Sequence, residues 1–241
     1  MQNSVKTLTE RLYYDRPNWL DGTSQFAALI RQRLRPEFRI LDLGAGSGKA
    51  GPVNFQGEAR IVCGVDPNSC IKGNSRIDHG VIGLAEHLPF RTDSFDLVVS
   101  DWVVEHLAQP EKVIFEVFRV VKSGGVFVLR TGNVYHYSYA VAAVTPYWFH
   151  RLVANRVRGI PEDNGDPHAT YYRMNSRGAV RRCLTRAGFV EEEILMVEAE
   201  PSYLMFSVSS FLLGVAYERV VNRARSLSGL RACIFACFRK P

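Results

Sequence analysis

The chain has 241 residues, 46% apolar and 22% charged, enough to bury a sizeable core, so it is neither a disordered tract nor a mini-domain that needs staples. Its five cysteines (Cys63, Cys70, Cys183, Cys233 and Cys237) form no CxxC pair and no closely spaced framework, which argues against a disulfide scaffold and for a reducing, cytoplasmic setting. The net charge of +6 is uneven, +1 over residues 1–130 and +5 over residues 131–241, so an anionic partner is expected for the C-terminal half.

Met1 to Glu10 lacks the apolar run of a secretory leader, and none is expected. Ser24 predicts the cap of a helix reaching Leu34, with Phe26, Leu29, Ile30 and Leu34 on one face and Pro36 ending it. From Arg39 the pattern changes to short apolar runs bounded by turn residues: Ile40–Leu43, Ile61–Val65, Val81–Ile82, Phe95–Val99 and Val126–Leu129. Unbroken apolar character suits parallel strands covered on both faces. Between the last two runs lies an amphipathic helix, opened by Pro110 and stopped by Gly124 and Gly125, with Val113, Ile114, Val117, Phe118 and Val121 facing inward. Asn175 predicts the cap of a further helix running through Ala187 to Gly188. A strand over Val190–Val197 follows, and Leu230–Phe238 reads as a strand or a helix. Neither charge-free stretch, Thr131–His150 or Tyr203–Tyr217, reads as a membrane span: the first is broken by Gly132, Asn133, His136 and Pro146, and the second is too short.

Strands alternating with helices predict an α/β fold, a Rossmann-like doubly wound and mostly parallel sheet, in one domain over 1–241. Such sheets bind ligands beyond the carboxyl ends of their strands. The informative stretch is Ile40-Leu41-Asp42-Leu43-Gly44-Ala45-Gly46-Ser47-Gly48, a buried strand running into a glycine-rich turn that lets a ligand approach bare backbone. A phosphate-cradling P-loop would need glycine at Leu43 and Ser or Thr at Ala50, and a dinucleotide fingerprint would need its third glycine at Lys49.

The G-x-G-x-G spacing after an acidic strand end resembles the first motif of class I S-adenosylmethionine-dependent methyltransferases, of the bacterial type 11-like kind. Val62–Val65 ending in Asp66 resembles the family's second strand and its ribose-binding acid, a role that suits an acceptor-only carboxylate. Ala85-Glu86-His87-Leu88-Pro89-Phe90 and Phe95–Ser100 resemble the adenine-side loop and fourth strand. Val104-Glu105-His106-Leu107 and Arg119–Gly125 resemble the segment after that strand and the turn before the fifth. The resemblance covers about Arg39 to Arg130. It implies a seven-stranded sheet, S-adenosyl-L-methionine as cofactor, and a cofactor site including Asp42, Gly44, Gly46, Gly48, Asp66, Ala85, Glu86, Ser100 and Asp101. Residues 39–130 are then the cofactor-binding core, 131–175 a substrate-side insertion, and 176–241 the remaining sheet and helices. The chain departs from the family at Leu84, where an adenine-binding acid is common, and at Gly51-Pro52, which interrupt the helix after the glycine turn.

An activated methyl donor needs mainly a well-placed nucleophile. For a hydroxyl acceptor, His106 is the candidate general base, with Glu105 orienting it or serving instead. Some relatives bind a metal here through E-x-x-E-H, but Trp102 stands at the first acid position, so no metal is expected. Clustered aromatic, histidine and arginine residues beyond the fifth strand, including Pro146–His150 and Asp166–Asn175, nominate Asn133, His136, Tyr172 and Arg173 as substrate contacts. The acceptor is expected to be a small molecule, lipid or sugar, anionic or membrane-associated. No nucleic-acid partner is expected, since no Asn-Pro-Pro-Tyr-type motif or RNA module is present. Tyr203–Val221, followed by Arg223, Arg225, Arg231 and Arg239, is the candidate for peripheral membrane contact. Two other functions stay open from the sequence: an adenosylmethionine-binding protein without turnover, and a nicotinamide oxidoreductase.

Overall fold

The short apolar runs become seven strands of one sheet in the computed structural model, which describes residues 2–48, 54–139 and 169–241. They are β1 (Arg39–Leu43), β2 (Ile61–Asp66), β3 (His79–Ile82), β4 (Phe95–Asp101), β5 (Val121–Gly132), β6 (Val190–Val197) and β7 (Cys233–Arg239), in spatial order β3-β2-β1-β4-β5-β7-β6. The pairings from β3 through β5 are parallel. β7 runs antiparallel to β5, because Ala232 bonds Asn133 at one end and Lys240 bonds Gly124 and Gly125 at the other. The sheet is therefore mixed, and of the expected Leu230–Phe238 element the part from Cys233 is strand, while Leu230 closes a 3-10 turn over Arg225–Leu230. The chain steps outward from β1 to β2 and β3, then returns to β4 on the other side of β1. That reversal opens the crevice where doubly wound sheets hold ligands.

Five α-helices accompany the sheet among the described residues: α1 (Gln2–Thr9), α2 (Gly22–Arg31), α3 (Pro110–Val120), α4 (Arg177–Arg186) and α5 (Val208–Arg223). In α3, Val113, Ile114, Val117 and Val120 are fully buried, each contributing about 1.5–3 kcal/mol on burial. Three expected boundaries are corrected. α2 begins at Gly22, so Ser24 lies inside it and is not its cap. α3 ends at Val120 because β5 starts at once, and Gly124 and Gly125 fall within that strand, Gly124 at φ +78°. α4 is capped by Ser176, whose hydroxyl accepts from the Ala179 N–H, while Asn175 is buried and donates to Thr131 Oγ1 at 2.7 Å and to the Gly132 carbonyl at 3.1 Å. The interruption expected at Gly51-Pro52 and the aromatic stretch Pro146–His150 lie outside the described residues, as does Asp166–His168.

The chain divides into two compact units. The larger (Thr23–Gly132, Thr170–Leu195 and Ile234–Pro241) holds most of the sheet with α3 and α4. There Phe26 packs on Phe235, and Phe118 packs edge-on against Phe189. The smaller (Met1–Gly22, Asn133–Ala169 and Met196–Cys233) gathers Val5, Tyr13 and Phe211 with Leu8, Leu12, Trp19 and Val215. Among its described residues, Tyr13 donates to buried Glu218 at 3.2 Å, and burial beside that carboxylate pushes the phenol well above its ordinary range.

In the larger unit, Arg130 on β5 sits opposite Asp101 on β4 and forks onto its carboxylate at 2.5 and 2.6 Å. The guanidinium also donates to Thr23 Oγ1 at 2.8 Å and lies against the Phe26 and Trp102 rings. Because Arg130 is 3% exposed, removing it strands a carboxylate in a low-dielectric site. Arg130→Met should therefore lose about 3–5 kcal/mol in urea unfolding. A loss below about 1 kcal/mol would show that Asp101 finds water or another partner.

Candidate functional site

The site is built where β1, β2 and β4 end. β1 delivers Asp42 and then turns at Gly44, whose N–H bonds the Val65 carbonyl of β2 at 2.8 Å. Gly44, Gly46 and Gly48 all have positive φ, at +77°, +51° and +72°, conformations that disfavour a Cβ. Their surroundings then separate their roles. A Cβ on Gly44 would overlap the Val103 methyl groups, and one on Gly48 would overlap the Asn74 amide. Among the described residues, a Cβ on Gly46 would meet only Asp66 Oδ2, at 4.0 Å. Gly44 and Gly48 thus permit close packing of protein on the turn, whereas Gly46 leaves bare backbone beside the acid of β2.

Asp66 organises that junction. Its Oδ2 accepts from the Gly46 N–H at 2.9 Å and its Oδ1 from the Asn68 N–H at 2.8 Å. A carboxylate has about four acceptor positions, so each oxygen keeps capacity for a hydroxyl donor. Asn74 supports the turn from below, donating to the carbonyls of Ala45 at 2.9 Å and Gly46 at 3.3 Å. Sequence reasoning passed over Asn74, since an isolated amide in a loop carries no pattern.

Asp42 is desolvated and lies near Asp101 and Asp66, and burial first, then those two charges, pushes its carboxyl up to about 7. Ser100, at the end of β4, is fully buried and its hydroxyl has no hydrogen-bond partner among the described residues. Asp101 is held by Arg130, as described above. Ala85 and Glu86 are half-buried in the loop after β3, and Leu84, the position lacking the acid, is exposed. That loop is clamped from α3: Glu116 accepts from the Leu88 N–H at 2.8 Å, while Arg119 donates to the carbonyls of Phe90 at 2.8 Å and Leu88 at 3.0 Å. Both the clamp and the Asp101 partner were missed in the sequence, although the i, i+3 spacing of Glu116 and Arg119 and the charge of Arg130 within the apolar strand β5 were the signals that could have found them.

After β4, Trp102 takes φ +57°, a strained value for a bulky residue, and leads into the short turn Val104–His106. Glu105 is buried, and the Thr131 hydroxyl donates to its Oε2 at 2.9 Å. Burial holds the Glu105 carboxyl above the usual carboxylate range, offset in part by Thr131 and His106. Thr131 in turn accepts from Asn175, so Asn175, Thr131 and Glu105 form one chain of bonds. The Glu105 carbonyl takes the N–H groups of Tyr171 at 2.8 Å and Tyr172 at 3.2 Å, and Arg173 donates to the Ala108 carbonyl. Tyr172 and Arg173 are thus brought to the Glu105–His106 segment.

Asn133 and His136 belong to the smaller unit and are buried there. Asn133 donates to the carbonyls of Gly229 at 2.7 Å and Arg231 at 2.8 Å. His136 faces Glu198 across 3.4 Å and touches the rings of Tyr137, Tyr203 and Tyr217. The Asn133 amide thus joins distant protein segments, whereas the His136 ring bonds Ser138 Oγ at 2.7 Å through Nδ1 and its Nε2 has no hydrogen-bond partner among the described residues. Among those residues no group of three or more His, Cys, Asp or Glu is disposed to hold a metal ion.

Residues 41–129 match the family model described as "Methyltransferase domain". This segment is a methyltransferase domain. Over 130 residues the chain is 31% identical to uncharacterized methyltransferase YcgJ of Bacillus subtilis (strain 168), covering 49% of this chain and 50% of that protein. Over 104 residues it is 31% identical to the ubiquinone/menaquinone biosynthesis C-methyltransferase UbiE of Vibrio campbellii, covering 38% of this chain and 40% of that one. The chain thus spans half or less of the length of these curated relatives. A crystal structure of an S-adenosylmethionine-dependent methyltransferase from Mesorhizobium loti shares the fold at TM-score 0.54 and 18% identity, over 88% of this chain and 96% of that one.

The cofactor of this domain family is S-adenosylmethionine, and the described residues fit it: among them nothing but Asp66 lies within 4 Å of a Cβ on Gly46, Asp66 keeps spare acceptor capacity, and the buried Ser100 hydroxyl has no hydrogen-bond partner. Gly46→Val should remain folded, with about 1–2 kcal/mol of backbone strain, and lose at least about tenfold in adenosylmethionine affinity. Gly44→Ala should instead lower the melting temperature by displacing Val103. Calorimetry of the two variants checks this, and unchanged affinity in folded Gly46→Val would overturn the assignment of the turn.

The Asp42 carboxyl generates a pH prediction. Its pKa is raised on folding, so the native state binds a proton the unfolded chain has lost, and stability falls as pH rises from about 4 to about 7. Asp42→Asn should remove that component. Its stability advantage over the parent should grow across that interval and level off above it. Denaturation midpoints against pH measure this, and a constant difference would contradict the shift.

Proposed function

We propose that the chain transfers the methyl group of S-adenosylmethionine to a lipophilic small-molecule acceptor. The observation that carries this is the Gly46–Asp66 junction within a segment that matches the methyltransferase family. When bound, the cofactor supplies a methyl group already activated by a sulfonium, which leaves the protein to hold an acceptor in line and to manage its proton. The similarity to UbiE, named for ubiquinone and menaquinone biosynthesis, supports a lipid-soluble acceptor.

The chain's own groups suit those tasks. Gly46 and Asp66 offer a backbone approach and ribose-type acceptance, and the α3 clamp fixes the loop bearing Ala85 and Glu86. The turn at Val104–His106 is a rigid platform, because the Glu105 carbonyl and carboxyl are both bonded. His106 on that platform accepts the acceptor's proton, with Tyr172 and Arg173 as acceptor contacts.

A panel of quinol, phenol, lipid and glycan acceptors with methyl-labelled cofactor tests the reading, and transfer to a lipophilic hydroxyl or activated ring carbon is the expected outcome. Once an acceptor is found, His106→Ala should lower turnover on a hydroxyl acceptor by about 10²- to 10⁴-fold while cofactor affinity barely changes. Near-normal turnover would leave positioning alone as the source of rate, and a defect confined to cofactor binding would put His106 in the cofactor pocket.

A further inference from the structure

Helix α5 of the smaller unit turns apolar side chains toward solvent. Its buried face is Phe211, Gly214, Glu218 and Val221. The opposite face, at the same i, i+3, i+4 spacing, presents Leu212, Leu213, Ala216, Arg219, Val220 and Arg223. Leu213 is 68% exposed, and Phe206, just before the helix, is 56% exposed. A surface helix ordinarily buries its leucines and shows its acids. Here the arrangement is reversed: the only carboxylate of α5, Glu218, is 4% exposed, taking the Tyr13 hydroxyl and Asn222 Nδ2 at 2.7 Å. Arg219 lies 3.3 Å from Glu218 and partly answers its charge. Arg223 and the following Arg225 are exposed beyond it, so the outward face carries positive charge and no acid.

At 16 residues α5 is about 24 Å long, shorter than the roughly 30 Å hydrocarbon core of a bilayer. No described helix is long and apolar enough to cross a membrane. A helix with an apolar outward stripe edged by arginines suits the plane of a membrane surface, where its apolar side chains enter the acyl boundary and its guanidinium groups meet phosphates. We infer that the outward face of α5, with Phe206 and the arginines at positions 219, 223 and 225, docks on an anionic phospholipid surface. Charge complementarity selects that occupant, because a neutral or self-complementary partner gives the acid-free row of arginines nothing to meet.

The test is flotation of the full chain with vesicles of phosphatidylcholine alone or mixed with phosphatidylglycerol. The chain should float with the mixed vesicles, weakly with the neutral ones, and less as salt rises. Arg223→Ala should weaken partitioning about fivefold, and the Leu212→Ser, Leu213→Ser pair at least as much, with unchanged melting temperature because these side chains are exposed. Absence of flotation with either vesicle, or equal partitioning into both, overturns the proposal. So does a dimer in solution that Leu213→Ser dissociates, which would make this face a contact between copies of the chain. The lipid and salt comparisons use the unmodified chain, so they decide the matter even if a variant fails to fold. None of these residues belongs to the proposed transfer site, so failure here leaves the methyl-transfer reading standing.

Discussion

The hydrogen bond from the Gly46 N–H to the Asp66 carboxylate, 2.9 Å long, ties the glycine turn after β1 to the end of β2. The proposed cofactor site depends on it. The same carboxylate also holds the start of the next loop through Asn68, so one side chain fixes two backbone segments that border the crevice. Neutral amides could not do this as firmly, because hydrogen bonds to an ionised acceptor are roughly twice as strong. The turn is then braced from the other side by Asn74 and by the fit of Gly44 against Val103. Over Gly46, no side chain of the described residues other than Asp66 comes within 4 Å of where a Cβ would stand.

Charge around this junction is arranged in one direction. Asp42, Asp66 and Asp101 interact at the carboxyl ends of three adjacent strands, with Arg130 neutralising Asp101. Among these, Asp42 bears the strain, as its raised pKa records. A cationic ligand nearby would favour its ionised form. Glu105 repeats the pattern in the turn after β4: it is buried and its carboxyl is raised, yet it is held in a defined orientation by Thr131 and Asn175.

Much of this was legible in the sequence because it rests on local pattern. The largely apolar run Ile40–Leu43, leading into Gly44, Gly46 and Gly48, specifies both a buried strand and the turn that ends it, and the strand expected over Val190–Val197 has those bounds. Other features depend on partners far along the chain. Asn175 looked like a helix cap by its position, but its amide is recruited by Thr131, 44 residues away, and Ser176 takes the cap. Asn133 and His136 carried the polar and aromatic character of a substrate wall, yet their polar atoms face Gly229, Arg231 and Glu198, residues close to them only after folding. Antiparallel β7 escaped for a similar reason, since Cys233–Arg239 has the apolar content of either a strand or a helix, and pairing with β5 decides between them. The inverted face of α5 shows the same limit, because periodicity marks an apolar stripe without saying which way it points.

The most direct test of the account is calorimetric titration of the full chain with S-adenosylmethionine and, separately, with a nicotinamide dinucleotide. The Gly46–Asp66 cradle requires saturable binding of adenosylmethionine at one site, abolished by Asp66→Ala, with no measurable dinucleotide affinity. Tighter binding of the dinucleotide, or adenosylmethionine binding indifferent to Asp66, would contradict it.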